Sequence, residues 1–454
     1  MEIKQERKFQ ILWMMLILVV VGIVIALIVK AGVIPGLSKA VDQDKEKILR
    51  SEKQENTISG TIYSDEGKVL AKSKPVEYNG ATQKVKEKRT YSSIAYTTLL
   101  SRIGGGLEAK YKDQLYDGDV EHKLSNGEIY YCGTDLHLTI NDSLQQKAVQ
   151  YINDYPEASI VVMDDDGQIK AFASSKEMTM DSMSQNIESF HNGELINNNL
   201  ECAPCGSVLK PIIAELMLEN NKNLKITDKG YITVDGIKIK NAKGTSFGKI
   251  GMEEALVHSS NQYFVRAALD LGSSEVEAGF AQFGIGSSLN TDFGDVACYV
   301  QSPKSDYALA RCAIGQDVSI SPLQLAQVMQ GIVTGNMAKP YIVKSVSKDG
   351  EIKSCKVEKN KTKTSIDKDN RTKVCKMLEK CSVSYKLSKT EDHVMAKTGT
   401  SQNGDGTQNA VIMASWTSDK RYYAVVRVRN TEMYGRNLVD IMKKTISATN
   451  KMND

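Results

Sequence analysis

Residues 11–29, ILWMMLILVVVGIVIALIV, form an unbroken apolar run of 19. At 1.5 Å per residue a helix of that length reaches about 28 Å, close to the hydrocarbon thickness of a bilayer. No second run of that length follows, so everything from about residue 35 onward folds on one side of a membrane. A cleaved signal peptide is the competing reading, with Ser38 and Ala40 as the small residues of a cut. The apolar core is longer than a signal core and those residues stand well beyond it, which favours an uncleaved anchor. Charge does not orient the span, because Lys4, Arg7 and Lys8 precede it while Lys30, Lys39, Lys45 and Lys47 follow it. With residues 1–10 as a cytoplasmic tail, the protein is expected to be a single-pass cell-membrane protein with its bulk extracytoplasmic.

That bulk has ordinary globular chemistry. In 454 residues, 41% hydrophobic and 25% charged, there is material for two or three domains and no sign of a disordered or multi-span chain. A formal charge of +3, from 58 basic against 55 acidic residues, gives no strong field for nucleic acid. The five histidines are scattered without metal-ligand spacing, and no metal or organic cofactor is indicated. The eight cysteines fit no recognisable disulfide framework; pairing in an oxidising space and burial as thiols both stay open.

After the anchor, residues 30–57 read as a polar stalk and 58–142 as a small α+β pedestal. ISGTIYSDEGKVLA carries a hairpin signal at Asp65-Glu66-Gly67. Residues 143–454 form the main domain. Ser143 to Asn153 has helical periodicity, and ASIVVMDDDGQIKAFAS gives two strands joined at Asp166-Gly167, a dipeptide suited to a tight turn. Helices follow after Ser207, from Met252 to His258, from Asn261 to Leu271, from Glu275 to Phe283 and from Pro322 to Thr334. Strands return in HVMAKTGTS, NAVIMASWTS and RYYAVVRVRN before a closing helix from Asn437. The order predicts an antiparallel sheet of about five strands, built from distant parts of one α+β domain with helices on both faces. The Lys-rich stretch from Lys344 to Lys373 reads as a solvated surface excursion.

Two serine motifs compete for the chemistry. GTSFG, Gly244 to Gly248, fits the G-x-S-x-G pattern but lacks the buried strand before it and the helix after it, so Ser246 reads as a turn serine. Ser207-Val208-Leu209-Lys210 opens an apolar helical run. At i and i+3 the serine and the lysine share a face, close enough for an amine to take the hydroxyl proton. A helix N-terminus also favours an oxyanion. Alone, S-x-x-K is a weak signal, better read as a helix-capping serine with a solvated lysine. Two companions raise its weight: Ser259-Ser260-Asn261 between two helical runs, and Lys397-Thr398-Gly399 on a strand that ends in Thr400-Ser401.

S-x-x-K, S-x-N and K-T-G in that order are the signature of serine acyltransferases that react with β-lactams. The chain resembles a class B, monofunctional penicillin-binding protein, a peptidoglycan D,D-transpeptidase. GQDVSISPLQLA, EALVHSSNQYF and DLHLTINDSLQ are similar to blocks of that family, as are Arg89, Tyr91 and GGLEAKYKDQLYDG in the pedestal. Ser59 and Ser64 depart from it, standing where Arg and Asp are usual. No run resembles a glycosyltransferase domain. The resemblance implies the fold of the serine β-lactamases and D,D-peptidases, and it implies a role for each motif residue. Ser207 would attack the carbonyl between two terminal D-alanines of a stem peptide, and Lys210 would take its proton. Ser259 would relay a proton to the leaving amine, and Asn261 would bond the lysine and the substrate amide. Lys397 would supply positive potential, Thr398 and Thr400 would hold the substrate carboxylate, and Gly399 would let the strand approach the ligand. The N–H groups of Ser207 and Thr400 would form an oxyanion hole. β-Lactams would acylate the same serine, and a multi-span membrane glycan polymerase is the implied partner.

A D,D-carboxypeptidase or a β-lactamase of the same fold is the first rival. A β-lactam sensor or a non-catalytic cell-wall scaffold is the second. The lack of an assignable deacylating carboxylate weighs against a β-lactamase, and complete motifs weigh against an idle scaffold.

Overall fold

A computed structural model describes residues 55–76, 86–102, 105–179, 197–348, 350–355 and 361–452. The apolar run at 11–29, the tail before it and nearly all of the stalk lie outside those residues. Among the described residues no helix is long and apolar enough to cross a membrane.

The chain divides into two compact units, and the expected pedestal, 58–142, is split between them. Of the described residues, the smaller takes in 55–58, 74–76, 86–88 and 116–133. In it Thr57–Ile58 runs parallel to Ile129–Cys132, which pairs antiparallel with Glu121–Lys123. The larger unit holds the rest. Its first hairpin turns where the sequence places it, with Ile62 opposite Ala71 and Gly67 at φ +79°. Two of the quoted pedestal motifs meet inside this unit. Arg89 donates to Glu108 Oε1 at 3.0 Å and to the Gly60 carbonyl at 2.7 Å, and Glu108 also receives Arg102 at 2.8 Å. Glu108 is 2% exposed, and a carboxylate that deep persists because two guanidiniums share it.

Along the larger unit come α1 (Asp142–Ile152), β1 (Glu157–Asp164), β2 (Ile169–Ser174), α2 (Lys210–Glu219), α3 (Met252–His258), α4 (Asn261–Leu271), α5 (Pro322–Thr334), α6 (Lys368–Ser384), β3 (Met395–Gln402), β4 (Gln408–Thr417), β5 (Arg421–Thr431) and α7 (Val439–Asn450). The five strands form one antiparallel sheet in the order β3-β4-β5-β1-β2. The last strand thus closes against the first, with Val426 opposite Ile160. Asp166-Gly167 makes the β1–β2 turn, and Gly167 has φ +84°. β4 is buried from Gln408 to Trp416, so both of its faces are covered. Helix α5 packs on β1, β4 and β5, while α1 and α7 pack on the sheet and on each other.

Helix α2 is buried nearly all round, with Ile212, Ile213, Ala214, Leu216 and Met217 at most 1% exposed. Each large apolar side chain sealed in this way contributes about 1.5 to 3 kcal/mol, which fixes the helix axis. Its neighbours are α6 and α4. The stretch from Lys344 to Lys373 departs from the expected surface excursion. Val343–Lys348 pairs with Asp135–Leu138 and with Glu351–Ser354, and α6 starts at Lys368. The apolar stripe of α6, Val374, Leu378 and Cys381, is diluted by lysines that face solvent, and that dilution hid the helix.

Candidate active site

The S-x-x-K motif lies on a 3₁₀ turn, Gly206–Leu209, that runs directly into α2, and the Lys210 N–H bonds to the Ser207 carbonyl. The turn is wedged between two other segments. Gly206 has φ +63°, and a Cβ there would stand 2.5 Å from the Thr400 carbonyl oxygen. Gly315 has φ +72°, and its Cβ would stand 2.1 Å from the Gly206 oxygen; its carbonyl receives the Gly206 N–H at 2.9 Å. A Cβ on Gly399 would meet the Cys205 oxygen at 2.3 Å, which gives the glycine of K-T-G its physical reason. The GQDVSISPLQLA block builds this wall. Val318–Ile320 pairs with Ala203–Pro204, and Ser321 caps α5 in a capping box with Gln324, with Pro322 in the first turn. Arg427, 1% exposed, ties the approach to the turn by donating to the carbonyls of Asn198, Glu201 and Ile320 at 2.9, 2.7 and 3.2 Å.

The S-x-N motif is the junction of α3 and α4. Ser259 ends α3 in the left-handed region, φ +59°, Ser260 caps α4 by accepting the Tyr263 N–H at 3.0 Å, and Asn261 is the first residue of α4. The strained serine turns its side chain and carbonyl toward Lys210. Lys210 Nζ lies 2.7 Å from the Ser259 carbonyl, 2.7 Å from Asn261 Oδ1 and 3.3 Å from Ser259 Oγ. Lys397 Nζ reaches the same Ser259 Oγ at 3.0 Å and also bonds the Thr398 carbonyl at 3.0 Å. The structure therefore brings Lys210, Ser259, Asn261 and Lys397 together. Ser207 stands at the head of the same helix, on the turn against β3.

Both lysines are fully buried. Burial, followed by the charge of Lys397, holds the Lys210 ammonium well below its usual range, and Asp228 opposes this. Burial and Arg436 lower Lys397 to about 8, with Cys381 opposing. Burial thus disfavours the charged form of both lysines, the condition under which a lysine side chain can accept a proton.

Thr398 is 7% exposed, and the Thr400 hydroxyl oxygen accepts the Gly435 N–H at 3.0 Å. Asn261 spends one amide proton on the Lys240 carbonyl, at 2.8 Å. Sequence reasoning missed the support beneath this motif. Asn241 Oδ1 accepts the N–H groups of Asn261 and Gln262 at 2.8 and 3.1 Å, satisfying two open donors of α4. Its Nδ2 donates to buried Asp228 at 2.9 and 3.0 Å, and Asp228 also receives the Ser260 hydroxyl. Tyr385, next to Lys397, was missed as well. Asn and Asp at turns are common, so no local signal marked these residues. Ser246 donates to the Asp228 carbonyl at 2.6 Å, as a turn serine does. Cys202 and Cys205 are thiols, and burial raises both above the usual thiol range, Cys202 to about 11.

Comparison with known proteins meets this geometry. The chain is 28% identical to penicillin-binding protein 3 of Bacillus subtilis (strain 168) over 308 residues, 59% of this chain and 43% of that protein. It is 22% identical to the peptidoglycan D,D-transpeptidase MrdA of Haemophilus influenzae over 303 residues, 58% of this chain and 46% of that one. It spans less than half the length of these curated relatives. Its fold is similar to penicillin-binding protein A from M. tuberculosis, solved as an imipenem acyl-enzyme complex, with a TM-score of 0.76 at 21% identity over 87% of this chain and 99% of that one. Residues 158–447, which hold the sheet, both buried lysines and the Ser207 turn, match the family model described as the penicillin binding protein transpeptidase domain, and the chain belongs to that family.

Proposed function

We propose that the protein is a serine D,D-transpeptidase that cross-links peptidoglycan stem peptides and is acylated at the same serine by β-lactams. The observation that carries this reading is the single hydroxyl of Ser259 held between two fully buried lysines, with the Ser207 turn against the K-T-G strand. Ser207 Oγ attacks the carbonyl between the two terminal D-alanines while Lys210, as the free amine, takes the proton. The Ser207 and Thr400 N–H groups face the developing oxyanion. The proton passes through Ser259 to the leaving amine as the C–N bond breaks, releasing D-alanine. An amine of a neighbouring stem then attacks the acyl-enzyme and the cross-link forms. Lys397, Thr398 and Thr400 hold the substrate carboxylate, and Gly399 gives the ligand backbone room.

The apolar run at 11–29 anchors the protein as a single membrane span with its catalytic unit outside the cytoplasm, beside a multi-span glycan polymerase. Removing residues 1–35 is expected to end co-purification with such a polymerase; co-purification that persists would remove the anchor from that contact. Product analysis separates the reading from its rivals. Given a D-Ala-D-Ala stem peptide and an acceptor amine, the protein should yield cross-linked dimer and D-alanine. Hydrolysed tetrapeptide alone would mean a carboxypeptidase, rapid turnover of penicillin a β-lactamase, and no product from either substrate a sensor or scaffold.

A further inference from the structure

Lys397 lies in the wall behind Ser259 with no surface exposure, and among the described residues no carboxylate forms an ion pair with it. An ammonium there has three N–H donors to satisfy, and each unsatisfied one is costly in a buried place. Two go to Ser259 Oγ and the Thr398 carbonyl, both at 3.0 Å. The third goes to the Tyr385 hydroxyl at 3.3 Å. Tyr385 follows directly on α6 and is 7% exposed, with the Arg436 guanidinium 5.0 Å from its ring centroid. The charged and titratable groups facing Lys397 are Lys210 from α2, Arg436 from the turn at Gly435–Leu438 and Cys381 from α6. Arg436 disfavours the charge on Lys397, Cys381 favours it, and none of the three is a carboxylate, so the N–H groups of Lys397 depend on neutral acceptors.

We propose that Tyr385 is a positioning residue of the acyl-transfer site: its phenol oxygen supplies the third acceptor that keeps Lys397 an ammonium and aims it at Ser259. The tyrosine keeps its own proton, because burial raises it well above the usual phenol range. Its oxygen therefore serves Lys397 as a neutral acceptor. A phenylalanine would fill the same space and leave one N–H of Lys397 without a partner. The lysine would then shed its charge at a lower pH, and both the Ser259 relay and the recognition of a ligand carboxylate would weaken.

This inference rests on the acyl-transfer reading, and the test keeps the two apart. The full chain in detergent is reacted with a labelled penicillin across pH 5 to 10, comparing the parent, Tyr385→Phe, and protein with 3-fluorotyrosine installed at position 385. In the parent, acylation should fall as pH rises through about 8, where Lys397 loses its charge. Tyr385→Phe should lower the second-order acylation rate constant about tenfold at neutral pH and move that alkaline limb to lower pH by about one unit. 3-Fluorotyrosine keeps the packing and weakens the acceptor, so it should move the limb the same way by less. A Tyr385→Phe protein whose rate falls uniformly with the parent's pH curve would show a purely structural role. An unmoved limb with fluorotyrosine would overturn the proposal even where the phenylalanine protein fails to fold. A parent that forms no adduct would instead overturn the acyl-transfer reading itself.

Discussion

Two short segments of the chain each carry a serine within two residues of a glycine in the left-handed region, and only one of them is packed against buried lysines and a strand. Gly206 precedes Ser207 at φ +63°, and Gly244 stands two residues before Ser246 at φ +66°. The glycines share a left-handed φ, but Ser207 follows on a 3₁₀ turn while extended Thr245 separates Gly244 from Ser246, and the surroundings differ further. A Cβ at Gly206 would strike the Thr400 backbone at 2.5 Å, whereas a Cβ at Gly244 would meet nothing within 4 Å. Ser207 has fully buried Lys210 one turn on, while exposed Ser246 gives its proton to the Asp228 carbonyl. A serine becomes a candidate nucleophile here through what distant segments press against it: a strand nearly two hundred residues later and a desolvated amine.

The contrast can be broken at its strongest point first. Lys210→Ala removes the buried amine one turn after Ser207, and penicillin acylation should fall by about 10³ or more at pH 7.5. Lys243→Ala, in the loop beside Ser246, should change it by less than about twofold. Equal losses in the two variants would erase the difference drawn between the segments. The second test exchanges glycine for alanine in each. Gly206→Ala combines a left-handed backbone with a backbone collision, and should cost about 3 kcal/mol of stability along with most of the acylation. Gly244→Ala meets strain alone and should cost about 1 kcal/mol with acylation intact. Denaturant melts and labelling rates read both, and similar costs would mean that space around Gly206 does not matter.

The smallest effect concerns a price of burial on the Ser207 side. Glu215 on α2 is fully buried, and among the described residues neither carboxyl oxygen has a hydrogen-bond partner. Burial raises its carboxyl well above the usual range, partly relieved by Arg371. The native state therefore holds this proton more tightly than the unfolded chain. Its stability contribution is fullest below the ordinary carboxylate range and is lost as pH rises toward the raised value. Glu215→Gln should raise the melting temperature by about 2 °C or more at pH 8 and barely change it at pH 4. A shift of the same size at both pH values would show that charge is not the cause.

Much of this was legible in the sequence. Reactivity restricts residue type, so S-x-x-K, S-x-N and K-T-G stand out at Ser207, Ser259 and Lys397, and Asp-Gly at 166–167 marks its hairpin because only a glycine suits that turn. The five antiparallel strands were readable from their apolar runs. Their order was not, since the pairing of Val426 with Ile160 is a tertiary choice that neither strand encodes locally. Helix α6 was hidden because lysines on its solvent face diluted a three-residue apolar stripe. Tyr385, Asn241, Asp228 and Arg427 were hidden for another reason: each is ordinary in its own segment and gains its role from a partner far along the chain.

The intact mass of the full chain after reaction with penicillin, followed by mapping of the modified peptide, decides whether Ser207 is the nucleophile. One penicilloyl group should be gained, on Ser207, and lost entirely in Ser207→Ala while Ser246→Ala keeps it. An adduct on Ser246, or labelling that survives Ser207→Ala, would contradict the claim that packing around the Gly206 turn makes Ser207 the nucleophile.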